Sequence, residues 1–144
     1  MGTRIGVAEF LENVSKLKKK EEKVAALKHN DSYVIRTILQ GAFDPRIKWA
    51  LPEGVPPYKP NDLTDQEHIL IKETEKLRYY IKGFYDDLPQ LKRETMFVQL
   101  LENVAPKDAE LLCTIKDKKP IKGITLEHVT KGLPGLIPNE QAAN

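Results

Sequence analysis

The sequence predicts an all-α fold of about seven helices, and three observations carry that prediction. Apolar residues recur at three- and four-residue steps through most of the chain, the spacing that stacks side chains on one face of a helix. Residue types that start and stop helices punctuate these runs. No segment alternates apolar and polar residues as a half-buried strand would, and none repeats another.

The first helix is marked by Val7, Phe10, Leu11, Val14 and Leu17. After the basic run Lys18-Lys19-Lys20, Val24, Ala25 and Leu27 form the apolar side of a short second helix, which His29-Asn30-Asp31-Ser32 breaks. Asp31 or Ser32 can cap the third helix by accepting from its free amides. That helix carries Val34, Ile35, Ile38, Leu39 and Ala42, is weakened at Gly41, and closes at Asp44-Pro45, because the residue before a proline avoids the helical region. Five prolines between 44 and 62 exclude both a long helix and a central strand there. Phe43, Ile47, Trp49, Leu51, Val55 and Tyr58 are too apolar for a free linker, so 44–62 is expected to be an ordered loop held on the helices by its aromatics.

Thr64-Asp65-Gln66-Glu67 has the pattern of a capping box and predicts a helix running to about Lys82, with Ile69, Leu70, Leu77, Tyr80, Ile81 and Phe84 on one face. Asp86-Asp87-Leu88-Pro89 separates it from a helix whose stripe is Leu91, Thr95, Val98 and Leu101. Pro106 suits the first turn of the next helix, where a missing N–H costs nothing, and Ala109, Leu112 and Ile115 give its stripe. A last short helix from about Thr125 to Lys131 stops at Gly132 and Pro134. Neither side of the proline loop would make a comfortable domain alone, so 1–144 is expected to be one domain with a flexible tail at 139–144.

Composition narrows the function classes. The 144 residues carry 23 Lys and Arg against 21 Asp and Glu, a formal net charge of +2. Any polyanion partner must therefore be argued from where the charges sit. The lone Cys113 excludes an intramolecular disulfide framework and a cysteine-based zinc site. No apolar run approaches the ~18 residues of a membrane span, and the start lacks a signal-peptide core, so a soluble cytoplasmic protein is expected. His29, His68 and His128 fall on separate segments without ligand spacing, which gives no metal site and reads as surface histidine. Cys113, beside Leu111 and Leu112, reads as an inert, partly buried thiol. Asp86-Asp87 and Glu21-Glu22 are adjacent pairs whose side chains diverge on a regular element, and no phosphate-binding glycine loop occurs. Neither catalysis nor a cofactor is expected.

Charge placement is more informative. Lys16, Lys18, Lys19, Lys20 and Lys23 cluster after the first helix, Arg46 and Lys48 flank Ile47 ahead of Trp49, and Lys116, Lys118, Lys119 and Lys122 precede the final helix. Lysines late in helices also serve the helix dipole and solubility. The turn Lys122-Gly123-Ile124-Thr125 adds a specific expectation: backbone amides directed outward ahead of a helix, beside a cation, where a phosphate fits.

With the Leu133-Pro134-Gly135-Leu136-Ile137-Pro138 segment that follows, this stretch resembles the end of the N-terminal DNA-binding domain of ATP-dependent DNA ligases, particularly those of T-even-type bacteriophages. Phe10-Leu11-Glu12-Asn13-Val14 with Lys23-Val24-Ala25-Ala26-Leu27 is similar to that family's opening helical pair. Val34-Ile35-Arg36-Thr37-Ile38-Leu39 with Arg46-Ile47-Lys48-Trp49 is similar to its third helix and the loop after it. The Lys-x-Asp-Gly motif of the catalytic domain is absent, which implies an excised domain or a stand-alone, non-catalytic relative. The resemblance implies a grip on the sugar-phosphate backbone of duplex DNA through Lys122, Gly123, Thr125 and Lys131, with Arg46 and Lys48 as further contacts, without base reading. It also implies a bacteriophage protein acting in the host cytoplasm. The alternative is a helical adaptor or virion component that keeps the fold without DNA and docks a protein through Leu133–Pro138 and the Tyr58 and Trp49 region.

Overall fold

The computed structural model describes residues 5–137; Pro138 and the tail 139–144 lie outside them. Seven α-helices form among the described residues: α1 (Val7–Ser15), α2 (Lys20–His29), α3 (Tyr33–Phe43), α4 (His68–Glu73), α5 (Gln90–Asn103), α6 (Pro106–Lys116) and α7 (Leu126–Gly132). A 3-10 helix, Thr74–Tyr80, continues from α4. Among the described residues there is no strand, only the isolated bridges Trp49–Ile81 and Ile121–Ile124. No helix of these residues is long and apolar enough to cross a membrane. The fold is all-α, as the apolar spacing predicts.

One cluster of buried side chains runs from Val7 to Ile137. α6 lies at its centre, packing against α1, α3 and α5, and α2 packs most extensively on α7. Several boundaries follow the expected chemistry. Ser32 Oγ accepts from the Ile35 amide to cap α3, Asp44 ends that helix, and Pro106 opens α6.

The proline-rich stretch is an ordered loop. Trp49 is buried, its Nε1 donating to the Gly41 carbonyl at 3.1 Å. A Cβ on Gly41 would lie 2.8 Å from the Trp49 ring, so this glycine clears space for the indole. Lys116, itself buried, donates from Nζ to the carbonyls of Pro52 and Gly54. Burial withdraws Trp49 from any docking role, and Leu133, Leu136 and Ile137 are likewise core residues. The surface expected of an adaptor is therefore not formed by them.

Two elements depart from expectation. The Thr64–Glu67 capping box does not form: α4 begins only at His68 and its N-cap, Glu67, makes no side-chain cap. Asp65 sits at φ 60, off the helical path, and Asn61 Nδ2 donates to Gln66 and to the Asn103 carbonyl, tying this lead-in to the end of α5. Local capping loses to a tertiary tether. Beyond α4, the Thr74 hydroxyl donates to the carbonyls of Leu70 and Ile71, and the helix tightens to the 3-10 form until Tyr80. Phe84 thus falls past the helix and is exposed.

On α5 the buried residues are Arg93, Phe97, Leu100 and Leu101, whereas Leu91 and Thr95 face solvent. The helix is rotated from its expected stripe because Arg93 takes the inner position of the first turn. Its guanidinium donates to the carbonyls of Tyr79 and Tyr85 and to Gln90 Oε1, satisfying backbone that the turn would otherwise leave unpaired.

Candidate nucleic-acid interface

The glycine turn before α7 is formed and half of its expected chemistry is present. Gly123 adopts φ +79, a left-handed conformation that other residues resist, and Lys122, Gly123 and Thr125 are all exposed. The turn also rests on α1: a Cβ on Gly123 would lie 2.5 Å from the Ser15 Cβ. The glycine is required here by close packing on its own protein.

The amides are not directed outward as expected. The Ile124 amide donates to the Ile121 carbonyl at 3.1 Å. The Thr125 amide donates to His128 Nδ1 at 3.0 Å, while Thr125 Oγ1 accepts from the His128 amide at 3.4 Å. This reciprocal cap satisfies the Thr125 and His128 amides within the chain. It also corrects the reading of His128 as a surface residue. The ring is buried, its pKa is held below the ordinary value by burial and then by Lys23 and Lys20, and a neutral imidazole is what the Thr125 amide needs as acceptor.

The lysines of α2 meet this turn from a hundred residues away in sequence. Lys23 Nζ donates to the Gly123 carbonyl at 2.7 Å. Lys20 Nζ lies 2.8 Å from Glu127 Oε2, and Lys131 reaches the same oxygen at 3.0 Å. Hydrogen bonds from Lys20 and then Lys131 lower the Glu127 pKa to about 2, so it stays a carboxylate. The packing beneath fixes these distances. Gly132 lies so close to α2 that its Cβ would stand 2.8 Å from the Leu27 Cβ. On the other side of the turn, Lys16, Lys107 and Lys122 border a surface groove of about 480 Å³ between α1 and α6, where Glu12 bonds Lys107.

The structure brings Lys122, Gly123, Thr125 and Lys131 together and adds Lys16, Lys20 and Lys23. Arg46 and Lys48 belong to a second group. Arg46 is paired with buried Asp44, Nη2 to Oδ2 at 2.9 Å. There, burial pushes the Asp44 carboxyl up, but the Arg46 and Gln40 hydrogen bonds outweigh it and leave the pKa below the ordinary value. Lys48 is exposed and near Lys118, whose Nζ bonds the Gly41 and Asp44 carbonyls at the end of α3. The pKa of Lys118 is lowered by burial and then by Lys48. Asp44 and the end of α3, rather than the glycine turn, organise this pair.

Sequence reasoning grouped Lys20 and Lys23 with a basic run but not with the turn. The available signal was Gly132, a small residue in the last turn of a helix that had to approach something closely. Cys113 is buried and burial pushes its thiol up, in keeping with an inert position. Among the described residues no group of three His, Cys, Asp or Glu side chains could hold a metal ion.

No curated protein matches the chain. A family of unknown function, DUF6433, matches residues 10–122, from within α1 to the first residue of the glycine turn. That match covers most of the chain and every helix but α7, and the protein belongs to the DUF6433 family.

Proposed function

We propose that this protein is a non-catalytic, sequence-independent binder of duplex DNA that holds the phosphate backbone, in the manner of the DNA ligase domain its sequence resembles. The observation that supports the reading is the convergence of Lys16, Lys20 and Lys23 with Lys122 and Lys131 around one exposed turn. Because the Ile124 and Thr125 amides are spent inside the chain, the grip is by lysine side chains. Such contacts position a duplex and read no bases. The phage origin and host-cytoplasm location implied by the ligase resemblance belong to the same proposal.

Fluorescence anisotropy with a labelled duplex of mixed sequence tests it. Lys16→Glu with Lys122→Glu removes two exposed cations without touching the Gly123–Ser15 contact, and is expected to weaken binding at low salt at least tenfold. Binding unchanged by this pair, or absent in the native protein at low salt, would contradict the reading.

A second reading, a helical adaptor or virion component, is favoured by one observation: Glu127 already occupies both Lys20 and Lys131. On that reading the lysines clamp α2 to α7, and the working surface lies elsewhere. It predicts a protein partner that co-purifies after nuclease treatment and no affinity for duplex.

A further inference from the structure

A surface groove of about 450 Å³ lies between α4 with its 3-10 continuation and the C-terminal half of α5. That volume falls in the range of small-molecule sites, about 300–1,000 Å³. None of its lining residues belongs to α1, α2 or α7, so it is separate from the lysines around Gly123. Half-buried Ile69 and Met96 with buried Leu100 supply an apolar floor.

Two departures from local helix rules build the walls. The Asn61 bond to the Asn103 carbonyl ties the lead-in of α4 to the end of α5. His68 and Lys72, four residues apart, then share a face of α4. Where the Thr74 hydroxyl tightens the helix to three residues per turn, Glu73, Lys76 and Tyr79 fall in line and continue the same wall. On α5, Gln99 and Asn103 stand opposite, also four residues apart.

The polar groups of this rim are uncommitted. Among the described residues, the side chains of His68, Lys72, Gln99 and Asn103 make no hydrogen bond or ion pair with the protein. The neighbouring carboxylates are engaged elsewhere and do not cancel Lys72. Glu73 pairs with Lys76 at 3.2 Å, and Glu102 accepts from the Lys59 amide at 2.9 Å. Glu67 packs on the start of α1, its Cγ 3.1 Å from where a Cβ on Gly6 would stand, and Glu75 does not line the groove.

The groove therefore offers an uncompensated cation, amides that both donate and accept, and a methionine floor that suits the edge of an aromatic ring. The α5 wall from Met96 to Asn103 rises about 10 Å, which takes one ring system with its anionic group and no oligomer. We propose that this groove binds a nucleoside monophosphate, with the phosphate at His68 and Lys72, the base on Met96, and the polar edge of the base at Gln99 and Asn103. A monophosphate has oxygens enough for both donors, and a base edge both donates and accepts, which a simple aromatic acid does not. The site is independent of DNA binding.

Amide NMR titration of the full chain with AMP, GMP, CMP and UMP, beside inorganic phosphate and the four nucleosides, tests this. At least one nucleotide is expected to bind with Kd below about 1 mM, at least tenfold more tightly than phosphate or its own nucleoside. The shifts are expected to centre on 68–80 and 96–103. Lys72→Glu, and separately Gln99→Leu with Asn103→Leu, are each expected to weaken binding at least tenfold with helical content unchanged. Lys16→Glu with Lys122→Glu is expected to leave it unchanged. The absence of saturable shifts with all four nucleotides would overturn the proposal. So would phosphate or a nucleoside binding as tightly as the nucleotide, binding indifferent to the α4 and α5 substitutions, or shifts centred on Gly123 that the Lys16→Glu with Lys122→Glu pair removes.

Discussion

Asp108 is 1% exposed on the first turn of α6. Its Oδ1 accepts from the Ala8 amide at 2.9 Å, capping α1, and its Oδ2 has no hydrogen-bond partner among the described residues. Burial raises its pKa to about 6, with Glu67 and Glu9 adding to the rise against the Ala8 bond. A carboxyl more easily protonated in the folded state binds more protons there than in the unfolded chain, so stability falls as pH rises from about 4 to about 6 and the cost persists above. Asp108→Asn keeps the acceptor for Ala8 and removes the charge. Chemical denaturation should show the variant gaining on the native protein between pH 4.5 and pH 7.5, by on the order of 2 kcal/mol. A difference between them that does not vary with pH would refute this account of Asp108. At Gly123, the left-handed backbone alone should make Gly123→Ala cost about 1–3 kcal/mol, and the clash with Ser15 adds to that. Thermal unfolding of Gly123→Ala beside Gly135→Ala, which is also left-handed but has open space at its Cβ position, separates the two costs.

At the scale of elements, the α2–α7 pair is the unit that assembles the basic cluster. Glu127 lies between Lys20 and Lys131 as a phosphate oxygen would, so on the proposed function a duplex would compete with it for both cations. Glu127→Gln should therefore tighten DNA binding by up to about fivefold, the scale of one surface charge interaction. Anisotropy under identical salt would show it, and weaker binding by the variant would mean that Glu127 organises the site instead. The cap on α7 adds a pH limit of the opposite sign to that of Asp108. Protonating His128 destroys the acceptor for the Thr125 amide, and since its folded pKa is lowered, that contribution is lost as pH falls below the ordinary histidine range.

These elements also show what could be read from the sequence. α3, α6 and α7 were legible because each joins an apolar stripe to an end signal: Ser32 and Asp44-Pro45 for α3, Pro106 for α6, Thr125 for α7. α5 was legible as a helix but not in its orientation. Leu91, Thr95 and Val98 compete at helical spacing with Phe97 and Leu100, and the choice is made by Arg93 bonding carbonyls of a turn that the sequence does not place beside it. The Thr64 box failed for a similar reason, since the deciding bond runs from Asn61 to Asn103. At the candidate site the residues of the turn were legible. The use of its amides was not, because it depends on which rotamer His128 adopts.

Over the whole molecule, a net charge of only +2 coexists with a concentration of lysines at one place, because the acids Glu53, Asp86, Asp87 and Glu94 gather around the groove between α5 and the loop at 51–57 and the turn beside it. The salt dependence of duplex binding tests the central claim most directly. With about four phosphates engaged by the lysines around Gly123, the logarithm of the association constant should fall against the logarithm of salt concentration with a slope of roughly −3.6, and Lys16→Glu with Lys122→Glu should make that slope shallower. A slope near zero, or one unchanged by the two substitutions, would contradict the claim that these lysines hold a phosphate backbone.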